Sequence, residues 1–69
     1  MELNNYHSID RLDLSPNLLG KIKSLGISRI GALRKATRQS FESLEMVGET
    51  RIQQIENALI EAGLPSEVL

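Results

Sequence analysis

The chain has 69 residues, 41% hydrophobic and 25% charged, with a formal net charge of −1. A chain of this size buries only about 60% of its unfolded surface, so it has room for one domain with a modest core. Its composition is that of a folded globule and excludes a disordered tail.

Other function classes fall away quickly. The sequence has no cysteine, which excludes disulfides and thiolate metal sites and fits a reducing compartment. No apolar run approaches the roughly 18 residues of a membrane span. The opening residues lack the basic and apolar regions of a secretory signal. The expected location is cytoplasmic. His7 is the sole histidine, and no nucleophile–base pair, phosphate-cradling loop or metal-ligand spacing accompanies it. Enzyme chemistry, a cofactor, a small-molecule substrate and a metal are therefore not expected. Asp10 and Asp13 frame Leu12 and read as turn residues.

In chain order, residues 1–8 read as a flexible leader without apolar periodicity, in which Tyr6 is expected to cover the core. Ile9, Leu12 and Leu14 supply apolar contacts before Ser15-Pro16. Serine is a good N-cap, and proline suits the first helical position because its missing N–H costs nothing there. A first helix is predicted from Pro16 to about Ser24, with Leu18, Leu19, Ile22 and Leu25 on one stripe and Gly26 as its stop. Ser28 is expected to cap a second helix over roughly 29–36, with Ile30 and Leu33 inward. Thr37 is expected to cap a third over roughly 38–44, with Phe41 and Leu44 inward. The fourth and longest begins just after Gly48 and runs to about Ala62, carrying Ile52, Ile55, Ala58 and Leu59 at helical spacing. Gly63, with Pro65 beyond it, ends it. No segment alternates with the period of a strand. The predicted fold is all-α, a compact bundle of four to five short helices over residues 9–66 containing two helix–hairpin–helix-like units.

The net charge hides a segregation. Residues 20–39 contain Lys21, Lys23, Arg29, Arg34, Lys35 and Arg38 and no acid. Residues 40–69 contain Glu42, Glu45, Glu49, Glu56, Glu61 and Glu67 against Arg51 alone. Such asymmetry points either to polyanion contact or to solvated helix faces that pair across the fold. Helix N-termini carry unpaired N–H donors and a partial positive charge, so the two turns would present backbone donors to phosphate.

Several stretches occur together in a fixed register: Ile9-Asp10-Arg11-Leu12-Asp13-Leu14-Ser15, Leu25-Gly26-Ile27-Ser28-Arg29-Ile30-Gly31-Ala32-Leu33, Met46-Val47-Gly48, and Ile55 through Leu64. In this set the chain resembles the C-terminal domain of the bacterial RNA polymerase alpha subunit. The resemblance runs without a gap from Ile9 to Leu64. It implies a helix–hairpin–helix fold that binds the minor groove of A·T-rich promoter DNA and touches transcription factors and sigma. It also implies site residues. The family's DNA-contacting arginine early in helix 1 falls on Asn17, and its asparagine one turn later falls on Gly20. The lysine near the end of that helix is matched by Lys23. In the second hairpin Gly48 is kept, the following lysine and serine become Thr50 and Arg51, and the aspartate of the first hairpin is Ala32.

The expected nucleic-acid-binding residues are Asn17, Lys21, Lys23, Arg29, Gly48, Thr50 and Arg51. Gly48 opens the turn before the longest helix and aims the amides of 49–51 at phosphate. Arg51, and Lys21 or Lys23, stand in for the lost basic position, although Arg51 could equally pair with a nearby glutamate. Lys21 and Lys23 are two apart and point to different sides. Arg29 follows the first turn, within reach of a phosphate. Glu49 suits the helix dipole but competes with a bound anion. Two functions follow. One is a transcription-associated module on duplex DNA, with a log–log salt slope of roughly −2 to −4. The alternative is a protein-interaction module that keeps the fold and contacts polymerase, sigma or a regulator through charged faces. Aromatic residues make up 3% of the chain, which leaves single-strand stacking little to stand on.

Overall fold

The computed structural model describes residues 3–44 and 47–68. A short 3-10 turn at Ile9–Arg11 leads into four helices, α1 (Pro16–Lys23), α2 (Ile30–Arg34), α3 (Arg38–Glu42) and α4 (Glu49–Glu61). Among the described residues there is no strand, only one isolated antiparallel bridge between Ser8 and Arg29. The all-α expectation holds.

The start of α1 follows its local chemistry. Ser15 is extended, its hydroxyl accepts from the Leu18 amide at 3.2 Å, and Pro16 occupies the first turn. The end of α4 is equally explicit. Gly63 takes φ +75°, the Gly63 amide donates to Ile60 at 3.0 Å and the Leu64 amide to Leu59 at 2.9 Å. These are the paired bonds of a Schellman closure, which needs a residue in the left-handed region.

Both middle helices are shorter than their expected ranges, and their caps differ. The N-cap of α2 is Arg29, with no side-chain cap, and not Ser28. The Ser28 carbonyl instead accepts the Ile9 amide at 3.0 Å, so that stretch of backbone is committed to a neighbouring segment. Thr37 does sit at the N-cap of α3, but it makes no cap bond to the helix; its hydroxyl lies 3.3 Å from that of Ser40.

The core gathers one stripe from each helix. Leu18 and Ile22 of α1, Ile30 and Leu33 of α2, Phe41 of α3, and Ile55 and Leu59 of α4 are fully buried together with Ile9. Phe41 is the largest of them. Leu14, Leu25, Ile27 and Leu44 pack against this cluster while keeping part of their surface in solvent.

The segment read as a leader is tied to α2. The Ile30 amide donates to His7 and the Gly31 amide to Asn5, each at 3.0 Å, and Leu3 packs on the core. A Cβ on Gly31 would lie 2.9 Å from Asn5 Cβ and 3.2 Å from the Asn5 carbonyl oxygen. Glycine is what lets the segment cross here. Tyr6 does not cover the core. Its backbone is held in the crossing turn and its side chain points outward, leaving the residue 80% exposed.

Candidate nucleic-acid interface

The expected site residues divide by what their side chains already hold. Lys23, in the last turn of α1, donates to both carboxylate oxygens of Asp10, at 2.7 and 2.9 Å. That bond, followed by a hydrogen bond from the Ser8 hydroxyl, holds the Asp10 carboxyl below its ordinary range. Arg29 places Nη1 on the Tyr6 carbonyl. Both side chains remain at the surface. Their charge nonetheless serves the fold's own chain crossings first.

Two further cations of the basic stretch behave in the same way. Arg34 donates through Nε to the Pro65 carbonyl at 2.8 Å and through Nη1 to Asn5 Oδ1 at 2.9 Å. The Arg34 carbonyl also accepts from the Glu67 amide at 2.9 Å. One residue of α2 thus ties both ends of the described chain to the bundle. Arg38 bonds Glu49 and lies 3.8 Å from Glu56, joining α3 to α4. The Glu49 hydrogen bond pushes the Arg38 guanidinium pKa up, so it stays charged.

The start of α4 is arranged differently. Gly48 is its N-cap, extended at φ −102° and ψ −170°, and it offers no side-chain acceptor to the first turn. The Arg51 and Ile52 amides return to the Gly48 carbonyl, each at 3.1 Å. Helical geometry leaves the Glu49 and Thr50 amides without an intrahelical acceptor. Gly48, Glu49 and Thr50 are exposed and Arg51 is half-buried. No ion pair to Arg51 is found among the described residues, so the alternative of a glutamate partner is not realised there. Glu49, expected to compete with an anion, has its carboxylate drawn onto Arg38. Sequence reading missed Arg38 as the residue that neutralises this acid. Its one signal was an unmatched arginine eleven positions before a glutamate.

Asn17 is exposed in the first turn of α1. Ser15, two residues earlier, shares a shallow groove with Gln54 and Ala58 of α4. Arg51 precedes Gln54 by three positions, which on a helix is one turn along the same face. The structure therefore sets the segment leading into α1 against the C-terminal half of α4, which begins one turn beyond Arg51. Lys21 is half-buried on α1, and the Lys21 carbonyl accepts the Ser24 hydroxyl. Met46, in the second matched turn, lies outside the described residues.

Among the described residues no helix is long and apolar enough to cross a membrane, and no group of three or more metal-ligating side chains occurs. No protein-family model matches the chain, and no solved structure matches it. Over 57 residues the chain is 35% identical to the DNA-directed RNA polymerase subunit alpha of Aquifex aeolicus (strain VF5). That stretch covers 83% of this chain and 18% of the relative. The chain thus spans under a fifth of the relative's length, and the similarity supports a distant relation to that family.

Proposed function

We propose that this chain is a non-catalytic, transcription-associated module that contacts duplex DNA backbone at the start of α4. The observation that carries this reading is the open first turn at Gly48–Arg51. There an uncapped helix N-terminus, with its partial positive charge, stands beside Arg51, which has no ion pair among the described residues, and the carboxylate of Glu49 in that turn is held by Arg38. The distant relation to a DNA-directed RNA polymerase subunit alpha supports the transcription-associated part of this reading. The turns around Gly26 and Gly48 would act as the two hairpins of a helix–hairpin–helix pair, with Asn17 at the edge of the contact.

The engaged state of Lys23 and Arg29 limits the electrostatic reach of this surface. With Arg51 as its main cation, the log–log salt slope of duplex binding is expected near −1 to −2, at about 0.9 per phosphate neutralised. The test is an NMR titration of labelled protein with an A·T-rich and a G·C-rich duplex at two salt concentrations. Salt-sensitive shifts centred on Asn17 and residues 48–52 support the reading, and a stronger response to A·T assigns the contact to the minor groove. An absence of shifts at low salt overturns it.

A second reading rests on the internal pairing itself. A domain that commits Lys23 to Asp10 and Arg29 to Tyr6, and that has asparagine where the resembling family carries its helix 1 arginine, is suited to protein contact in the same machinery. Under that reading duplex produces no shifts near physiological salt.

A further inference from the structure

A groove lies on a face that the proposed DNA contact does not use. It is an open depression of about 530 Å³ between the turn after α1, the helix α2 and the helix α3. Leu25, Ile27, Ala32 and Ala36 line it together with Lys35 and Ser40. Leu25 and Ile27 are aliphatic side chains that touch the core yet keep part of their surface in water. Ala32 and Ala36 are small enough to let a partner's side chain approach the α2 backbone.

The groove is also distinct in charge. Lys35 is its one charged lining residue, and no ion pair to Lys35 is found among the described residues. The stretch from residue 20 to 41 has no acid, the first being Glu42 at the end of α3. A smaller groove, about 340 Å³ between the start of α1 and α4, is lined by the acids Asp13 and Glu61 instead. An apolar trough with a lone, available cation in its lining selects for an apolar side chain next to a carboxylate.

We infer that this groove docks an acidic amphipathic segment of a protein partner. The segment inserts aliphatic or aromatic side chains between Leu25, Ile27 and Ala36 and sets a carboxylate against Lys35. Recognition of this kind uses apolar anchors at helical spacing for contact and the Lys35 charge for orientation. It is independent of the DNA reading, because the two surfaces share no residue.

The probe is a synthetic helical peptide with leucine at every third or fourth position and glutamate between, titrated into the labelled protein. Amide shifts should centre on Ala32, Ala36 and Ser40 and leave Gly48–Arg51 unmoved. Lys35→Glu should weaken binding by about threefold to tenfold, the range for reversing one exposed charge pair. Ala32→Gln, at an exposed helical position, should fill the trough and weaken it more than the charge reversal does, with thermal unfolding unchanged as the check on folding. Three results overturn the inference. They are no shifts at millimolar peptide, equal binding by the same peptide with lysine for glutamate, and groove shifts that follow protein concentration without peptide. In the last case a second copy of this chain is the occupant. A duplex titration that fails while the peptide titration succeeds removes the DNA reading and leaves this one standing.

Discussion

The basic stretch over residues 20–39 and the start of α4 both present groups suited to an anion, but the fold treats them in opposite ways. In the stretch, Lys23, Arg29, Arg34 and Arg38 each reach across to another chain segment and bind a carboxylate, an amide oxygen or a backbone carbonyl. At α4, Gly48 and Thr50 are left in solvent and Arg51 has no ion pair among the described residues. The lesson concerns what a run of cations is for. A small helical domain has many exposed carbonyls at helix ends and chain crossings, and arginine satisfies them with its fork of donors. Charge density along the sequence therefore overstates the surface available to a polyanion.

The largest effect should come from disturbing the chain crossing at Gly31. Gly31→Ala drives a methyl into Asn5, whose nearest atoms include its backbone oxygen and so cannot yield by rotation of a side chain. Overpacking of this kind costs about 1–3 kcal/mol. Urea unfolding should show that loss, and amide exchange should quicken at Ile30 and Gly31, which donate to the crossing segment. Unchanged exchange at those two amides would mean that the crossing contributes nothing.

Arg34→Ala should have the next largest effect. It removes two charge-assisted hydrogen bonds that tie Asn5 and Pro65 to α2. Hydrogen bonds to charged groups contribute about 1.5–3 kcal/mol when shielded, and exposure reduces that here to about 1–2 kcal/mol for the pair. For a domain this small each kcal/mol moves Tm by roughly 4–8 °C. Duplex affinity should change little, because Arg34 serves the fold.

Arg51→Ala should do the reverse. Stability should stay within about 0.5 kcal/mol, because the Arg51 side chain caps no helix and joins no core cluster. Duplex affinity should fall on A·T-rich and G·C-rich sequences alike, and the salt slope should lose about one unit. Anisotropy titrations at several salt concentrations read both quantities. A fall in Tm with an unchanged slope would reassign Arg51 to the fold and leave the open turn without its cation.

The parts of the structure that were legible in the sequence are those decided within a few residues. Ser15-Pro16 starts α1 and Gly63 ends α4 because a capping hydroxyl, a missing N–H and a left-handed glycine act locally. The apolar spacing of Ile52, Ile55 and Leu59 places α4 for the same reason. Ser28 failed as a cap because its backbone is committed to Ile9, a contact no local pattern announces. The destinations of the arginines were hidden more deeply. Arg29 meets Tyr6 across 23 positions, and Arg34 meets Asn5 across 29 and Pro65 across 31. Periodicity carries no information over such distances. Of the expected site, the α4 turn was legible as a glycine before a helix, whereas the neutralisation of Glu49 by Arg38 required the packing of α3 on α4.

Asp10→Asn gives the smallest effect and the sharpest one. Asp10 is exposed, and its carboxyl is held below the ordinary value of 3.8, first by the hydrogen bond from Lys23. A carboxylate with a lowered folded pKa contributes stability above its ordinary range and loses it as pH falls through the folded value. The Tm difference between wild type and Asp10→Asn should therefore be present at neutral pH and close below about pH 4. The same substitution frees Lys23 without moving α1. If Lys23 occupies a phosphate-contacting position, as the resembling family has it, duplex affinity should rise about twofold at low salt and the gain should fade as salt screens it. A closing Tm difference with no gain in affinity would show that Lys23 belongs to the fold alone. The duplex contact would then be confined to the first turn of α4, where the backbone rather than a basic stretch does the binding.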